Sequence, residues 1–226
     1  MKHLAGYVLV TVALCLSQTS RALAQDDNRL YAGALVGVST LSADARASTQ
    51  SDRAEASLYK PENGLAFNLL VGMHLGRYFT VQANYISNRN ELTLFSSVTS
   101  SSGGGFYEQA RRSSQHAIVG DALVYFRPVG SGVRPYLSTG IALVRFGSGQ
   151  ARLLERGLSG PQGEFESRHL ALRVAVGIDL ALGKPWSVRY SFSEAISGNP
   201  ISTHLMPPGE RGLANFQNLF GVIRTF

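Results

Sequence analysis

The stretch Leu170-Ala171-Leu172-Arg173-Val174-Ala175-Val176-Gly177-Ile178-Asp179-Leu180-Ala181-Leu182-Gly183 decides the reading of this chain. One parity runs Leu, Leu, Val, Val, Ile, Leu, Leu without a break. The other runs Ala, Arg, Ala, Gly, Asp, Ala, Gly. A period of two puts alternate side chains on opposite faces of a β-strand. One face is therefore greasy along its whole length. The other carries small residues and two isolated charges, not the many long Lys and Glu side chains of a solvated face.

The same pattern spreads in both directions. A tight turn at Gly183-Lys184-Pro185 leads to a second segment, where Val188, Tyr190 and Phe192 oppose Arg189. Alternation predicts eight strands, at about 30–40, 65–75, 78–88, 115–126, 136–146, 168–182, 186–195 and 215–226. In 136–146 the facing stays open, because Tyr136, Val144 and Phe146 compete with Leu137, Ile141 and Leu143. Each segment is about the 9 to 11 residues that a tilted strand needs to cross a bilayer.

The connections alternate in length. Short ones lie at Gly76-Arg77, Arg127 to Pro135 and Gly183 to Pro185. Long ones cover Ser42 to Asn63, the region around Ser100 to Gly105, Gly147 to Ser167, and Ser197 to Gly212. The Ser100–Gly105 run reads as flexible loop. Short turns at one end and long loops at the other mark a transmembrane barrel. The expected fold is all-β: an eight-stranded antiparallel up-and-down transmembrane barrel. A soluble ligand-binding barrel would put its grease inside and long charged side chains outside. Here the small parity suits the narrow interior of eight strands.

Composition agrees. Of 226 residues 16% are charged, below the roughly 25% usual for soluble domains. Past the first 25 residues no stretch is long and apolar enough for a membrane helix, which needs about 20 residues. The formal charge of +6 is scattered, without the basic run that nucleic acid requires, so no nucleic-acid partner is expected. Residues 1–24 read as a secretory signal: Lys2 and His3, an apolar Leu4–Leu16 core, and Ala22-Leu23-Ala24 before Gln25. A lipoprotein signal at Cys15 would want a small residue where Leu14 stands. Cys15 is the only cysteine, so the mature chain, 25–226, has no disulfide and no thiolate metal site.

Tyr31, Tyr78, Phe79, Tyr125, Phe126, Tyr136, Trp186 and Phe226 all fall near the short-turn rim. They are expected to form an aromatic girdle at the membrane interface. Asp121, Arg173, Asp179 and Arg189 lie on the small parity. They are expected to form an interior ion network, with Asp179 opposite Arg189 on neighbouring strands. A buried charge persists only when paired and hydrogen-bonded. The network reads as structural filler, with a gate as the alternative.

With its eight-strand rhythm, its segment Arg134-Pro135-Tyr136-Leu137-Ser138-Thr139-Gly140 and its terminal Phe226, the whole mature chain resembles the small outer-membrane barrels of the OmpA/OmpX type. That resemblance implies export through the periplasm to the outer membrane, contact with outer-membrane lipid and lipopolysaccharide, and recognition by the barrel-assembly machinery. It implies that Phe226, with Val222 and Phe220, belongs to the assembly signal; Phe216 shares their parity. Arg224 departs from the pattern. Near a rim such a charge costs about 0 to 1 kcal/mol.

Catalytic chemistry is weakly signalled. Ser202, His204 and Glu194 are the candidates for a lipid A deacylase set. That family carries His-x-Ser on a strand; here Ser202-Thr203-His204 runs in the reverse order in a Pro-flanked loop. No enzyme, metal or cofactor is expected. His74 reads as interior or turn-proximal, and His116 and His169 as near the long-loop rim. The expected function is a structural or surface-interaction role carried by four long loops. A narrow pore or a lipid-modifying enzyme are the alternatives.

Overall fold

The computed structural model describes residues 30–42, 45–50, 52–61, 63–198, 205, 207–208 and 212–226. The expected signal peptide lies outside them. Among the described residues ten strands occur: β1 Leu30–Ser42, β2 Ala45–Gln50, β3 Arg53–Pro61, β4 Asn63–His74, β5 Phe79–Ser100, β6 Gly103–Tyr125, β7 Val133–Arg156, β8 Phe165–Gly183, β9 Trp186–Gly198 and β10 Gly212–Thr225.

Eight of them close a ring in the order β1-β4-β5-β6-β7-β8-β9-β10, and β10 pairs back onto β1. Every pairing is antiparallel. Register partners run from Asp179 through Arg189, Gly221, Leu35, Asn68, Ile86, Ala117 and Val144, and return to β8 at His169. The path has climbed ten residues in one circuit, so the strands tilt steeply about the barrel axis.

The faces follow from side-chain size and polarity. Leu170, Leu172, Val174, Val176, Leu180 and Leu182 point outward. Ala171, Arg173, Ala175 and Asp179 point into the lumen. On β7 the open question resolves: Leu137, Ile141 and Leu143 face out, while Tyr136, Val144 and Phe146 face in.

Several expectations need correction. The stretch Ser42 to Asn63, expected as loop, contains the β2–β3 hairpin, and β3 pairs along the far half of β5. Strands expected to stop near 88 and to start near 115 instead continue as one long hairpin, β5 to Ser100 and β6 from Gly103. The Ser/Gly-rich run is therefore a tight turn with flanking strand, and Gly103 takes a positive φ of 138° there. β7 likewise runs on to Arg156 rather than ending at 146. Alternation of small and polar residues suffices for strand once a neighbouring strand supplies hydrogen bonds.

The girdle needs correction too. Tyr78, Phe79, Phe126, Trp186 and Phe226 are exposed on the outer wall near the short-turn rim. Tyr31, Tyr125 and Tyr136 are buried in the lumen. Their parity matches Asp179 and Arg189, and their hydroxyls find partners there.

Candidate functional site: a filled lumen and a strapped mouth

Inside the barrel, Arg189 on β9 faces Asp179, its register partner on β8. The guanidinium donates from Nε to Asp179 Oδ1 at 2.6 Å and from Nη2 to Oδ2 at 2.8 Å. Nη2 also donates to Tyr125 Oη at 2.7 Å, and Nη1 to Gln82 Oε1 at 2.5 Å. Tyr125 Oη donates to Asp179 Oδ2 at 2.8 Å, and Tyr31 Oη donates to Gln82 Oε1 at 2.7 Å. The Arg189 guanidinium also lies 4.9 Å from the Tyr136 ring centroid and 5.5 Å from that of Tyr31. Such fork pairing with aromatic stacking is what makes a buried arginine tolerable.

The network continues to a second pair. Gln82 Nε2 donates to Asn84 Oδ1 at 2.7 Å, and Asn84 Nδ2 donates to Asp121 Oδ2 at 2.9 Å. Arg173 Nη1 donates to the same Asp121 oxygen at 2.5 Å. One hydrogen-bonded chain thus runs Asp179–Arg189–Gln82–Asn84–Asp121–Arg173 across β8, β9, β5 and β6. Two lumen cavities bordering Arg173 measure about 10 and 20 Å³, the size of a single water. Nearer the short-turn rim a vestibule of about 510 Å³ is lined by His74, Arg134, Trp186 and Phe226 among others. Arg134, missed in the sequence, is buried there with its guanidinium 3.8 Å from the Tyr125 ring centroid.

The opposite, long-loop mouth is closed differently. Leu41, Leu92, Leu94, Tyr107, Phe146, Leu205 and Leu213 form a buried apolar cluster, with Leu158 and Phe165 packed against it. Above it Arg111 is only 1% exposed. It donates from Nε to Ser148 Oγ at 3.0 Å, from Nη2 to Ser148 O at 3.1 Å and to Gly163 O at 2.5 Å, and from Nη1 to Gln109 Oε1 at 2.9 Å. Its guanidinium lies 4.1 Å from the Phe165 ring centroid. Gln109 Nε2 donates to Pro161 O at 2.9 Å. The connection between β7 and β8 is thereby strapped over the mouth. Burial pulls the Arg111 guanidinium below its ordinary value, and Glu164 nearby opposes that shift. Parity alone puts Arg111 inside; what the sequence hides is that β6 extends so far.

A closed eight-strand ring with a greasy outer wall and a filled polar lumen is a membrane barrel. The family model for the outer membrane protein beta-barrel domain matches residues 8–206.

The chain belongs to this family.

It is similar in structure to Neisserial surface protein A, with a TM-score of 0.52 at 14% identity, over 89% of this chain and 100% of that one. OprG of Pseudomonas aeruginosa gives 0.46 at 12% identity, over 88% and 96%. Ail of Yersinia pestis, solved with the heparin analogue sucrose octasulfate, gives 0.45 at 9% identity, over 87% and 99%. The likeness to Neisserial surface protein A shows the fold alone. Comparison with curated proteins finds no match.

As a member of the outer-membrane β-barrel family the protein resides in the outer membrane of a Gram-negative bacterium. Long loops then face the outside and short turns the periplasm. Arg111 and its apolar cluster sit at the external mouth. Phe220, Val222 and Phe226 share the lipid-facing side of β10, and Arg224 there places its guanidinium 5.6 Å from the Trp186 ring centroid and 5.4 Å from that of Phe226. Ser202 and His204 lie outside the described residues. Glu194 projects on the outer face between Phe192 and Ile196, with Val174 and Phe216 as its register partners. His74 is buried against Thr80 Oγ1 at 2.7 Å and beside the Tyr31 ring. His116 is exposed on the outer wall, and His169 half-buried on the lumen side.

Proposed function

We propose that this barrel is a non-enzymatic surface protein whose lumen is structural and whose interactions are made by its extracellular extension. The observation that carries the reading is the continuous chain from Asp179 to Arg173, capped by the apolar cluster under the Arg111 strap. An ion-pair network that occupies the lumen supports the barrel and leaves no wide path for solutes. The extension is mostly strand, the β2–β3 hairpin and the outer halves of β5, β6 and β7, joined by the 157–164 connection that Arg111 holds. Rigid strands carrying variable tips are a good base for recognition.

Planar-bilayer recording of the purified protein tests this reading. Silence, with binding to a host or bacterial surface lost on trimming the hairpin tips, supports it. Stable conductance that depends on Asp121 overturns it in favour of a narrow pore. We also propose that Phe226, Val222 and Phe220 serve as the assembly signal for the barrel-assembly machinery. Their common lipid-facing side supports this, since a partner strand can read that row.

A further inference from the structure

The periplasmic end of the lumen holds more cations than carboxylates. Arg134 on β7, Asp179 on β8 and Arg189 on β9 are register partners in one inward row. Two guanidinium groups thus flank a single carboxylate. Arg189 takes both oxygens of Asp179, and Tyr125 Oη donates to one of them. Arg134 is left over. It is 8% exposed, its guanidinium rests on the Tyr125 ring, and its Nε donates to Arg127 O at a long 3.5 Å. Its Nη2 is buried with no hydrogen-bond partner among the described residues. No ion pair among those residues joins Arg134 or Lys184 to a carboxylate, the terminal one at Phe226 included.

A buried guanidinium without a counter-charge is costly. Arg134 and Lys184 both line the vestibule of about 510 Å³, where Asp179 is the one acidic side chain among the described residues. Val129, Pro185, Trp186 and Ile223 give it apolar walls. The volume suits a small organic molecule. Its mouth lies among the short turns, at 129–131 and 183–187. Farther in the lumen is filled, and the cavities beside Arg173 measure only about 10 and 20 Å³. The vestibule is therefore blind, and it opens to the periplasm.

We propose that this vestibule binds an organic monoanion, a carboxylic acid on an apolar body, taken from the periplasm. The ligand carboxylate completes the row by accepting from Arg134, with Lys184 as a second cation. The apolar body lies against Val129, Pro185, Trp186 and Ile223. A guanidinium edge matches a planar carboxylate, and apolar walls beside the pair strengthen it. The inference goes beyond the proposed surface role, because it concerns the opposite end of the barrel and needs no extracellular extension.

The test uses the full chain in phosphatidylcholine nanodiscs with 2-naphthoate as the probe and empty nanodiscs as the blank. Calorimetric titration compares 2-naphthoate with the neutral 2-naphthalenemethanol, with acetate and with inorganic phosphate. The wild-type chain is expected to bind 2-naphthoate, and the alcohol and acetate about tenfold more weakly or less, since one lacks the charge and the other the apolar body. Arg134→Gln is expected to lose about tenfold or more in affinity for 2-naphthoate. Arg77→Gln, on an exposed turn of the same rim, is expected to keep it. No binding to the wild-type chain, equal binding of the alcohol or acetate, or equal affinity in the two variants overturns the proposal. So does displacement of 2-naphthoate by phosphate at equal concentration, which would make this a free-anion site. Heat-modifiable gel migration checks that each variant folds. Lys184→Gln, on a turn, serves if Arg134→Gln does not fold, and unchanged affinity there overturns the proposal as well.

Discussion

Tyr136 on β7 lies across Gly177, its register partner on β8, with the ring covering the glycine on the lumen side. A methyl group on Gly177 would overlap the ring at Cζ and Oη. Tyr31 covers Gly72 in the same way. Both rings would have to leave the Arg189 network to make room. Gly177→Ala is therefore expected to cost about 1–3 kcal/mol, as an overpacked core does. Urea unfolding in detergent, read by gel migration, measures it. Wild-type stability in Gly177→Ala would show that the ring is free to move.

Asp121 and Arg173 are a buried pair far from solvent. Arg173→Met leaves Asp121 without its counter-ion and is expected to destabilise the barrel by about 3–5 kcal/mol. Asp121→Leu combined with Arg173→Met removes both charges and is expected to recover most of that loss. A double-mutant cycle of unfolding midpoints gives the coupling. Additive losses would mean that the pair contributes nothing beyond its separate side chains.

Arg111 holds the 157–164 connection through the carbonyls of Gly163 and Pro161. Arg111→Ala is expected to speed hydrogen exchange or proteolysis in that connection by at least about tenfold, since several charge-assisted bonds vanish together. Arg111→Lys should restore only part, because an ammonium lacks the planar fork. Gel migration of the barrel should not change. Unaltered exchange at 160–163 in Arg111→Ala would remove the strap from the argument.

Phe226 is exposed at the periplasmic rim and packs on the outside of the barrel. Phe226→Ala is expected to slow outer-membrane assembly in cells several-fold while leaving refolding into detergent nearly unchanged. Pulse-chase appearance of the folded gel band separates the two. Equal slowing in the purified refolding reaction would make Phe226 a stability residue instead of a signal.

Legibility varied by region for a physical reason. Within the bilayer the greasy parity of Leu170 to Leu182 is unbroken and the other holds only small residues and two charges, so facing was plain. On β7 both parities are apolar, and only the pairing with β6 and β8 decided it. Beyond the rim runs such as Thr99 to Ser102 are polar on both faces, so the extent of each strand is hidden there. Arg111 was overlooked for that reason. The tyrosines misled because an aromatic near a rim can lie on either wall, and its hydroxyl partner is on a distant strand.

The sequence by itself determined the number of strands in the ring, the direction of the greasy wall and the inward parity of Asp121, Arg173, Asp179 and Arg189. Those features depend on local alternation, which a period of two makes visible. Only the tertiary structure decided that Gln82 and Asn84 join the two ion pairs and that three tyrosines enclose Arg189. Such neighbours are set by register and strand tilt around the ring, and these are properties of closure that no single segment contains.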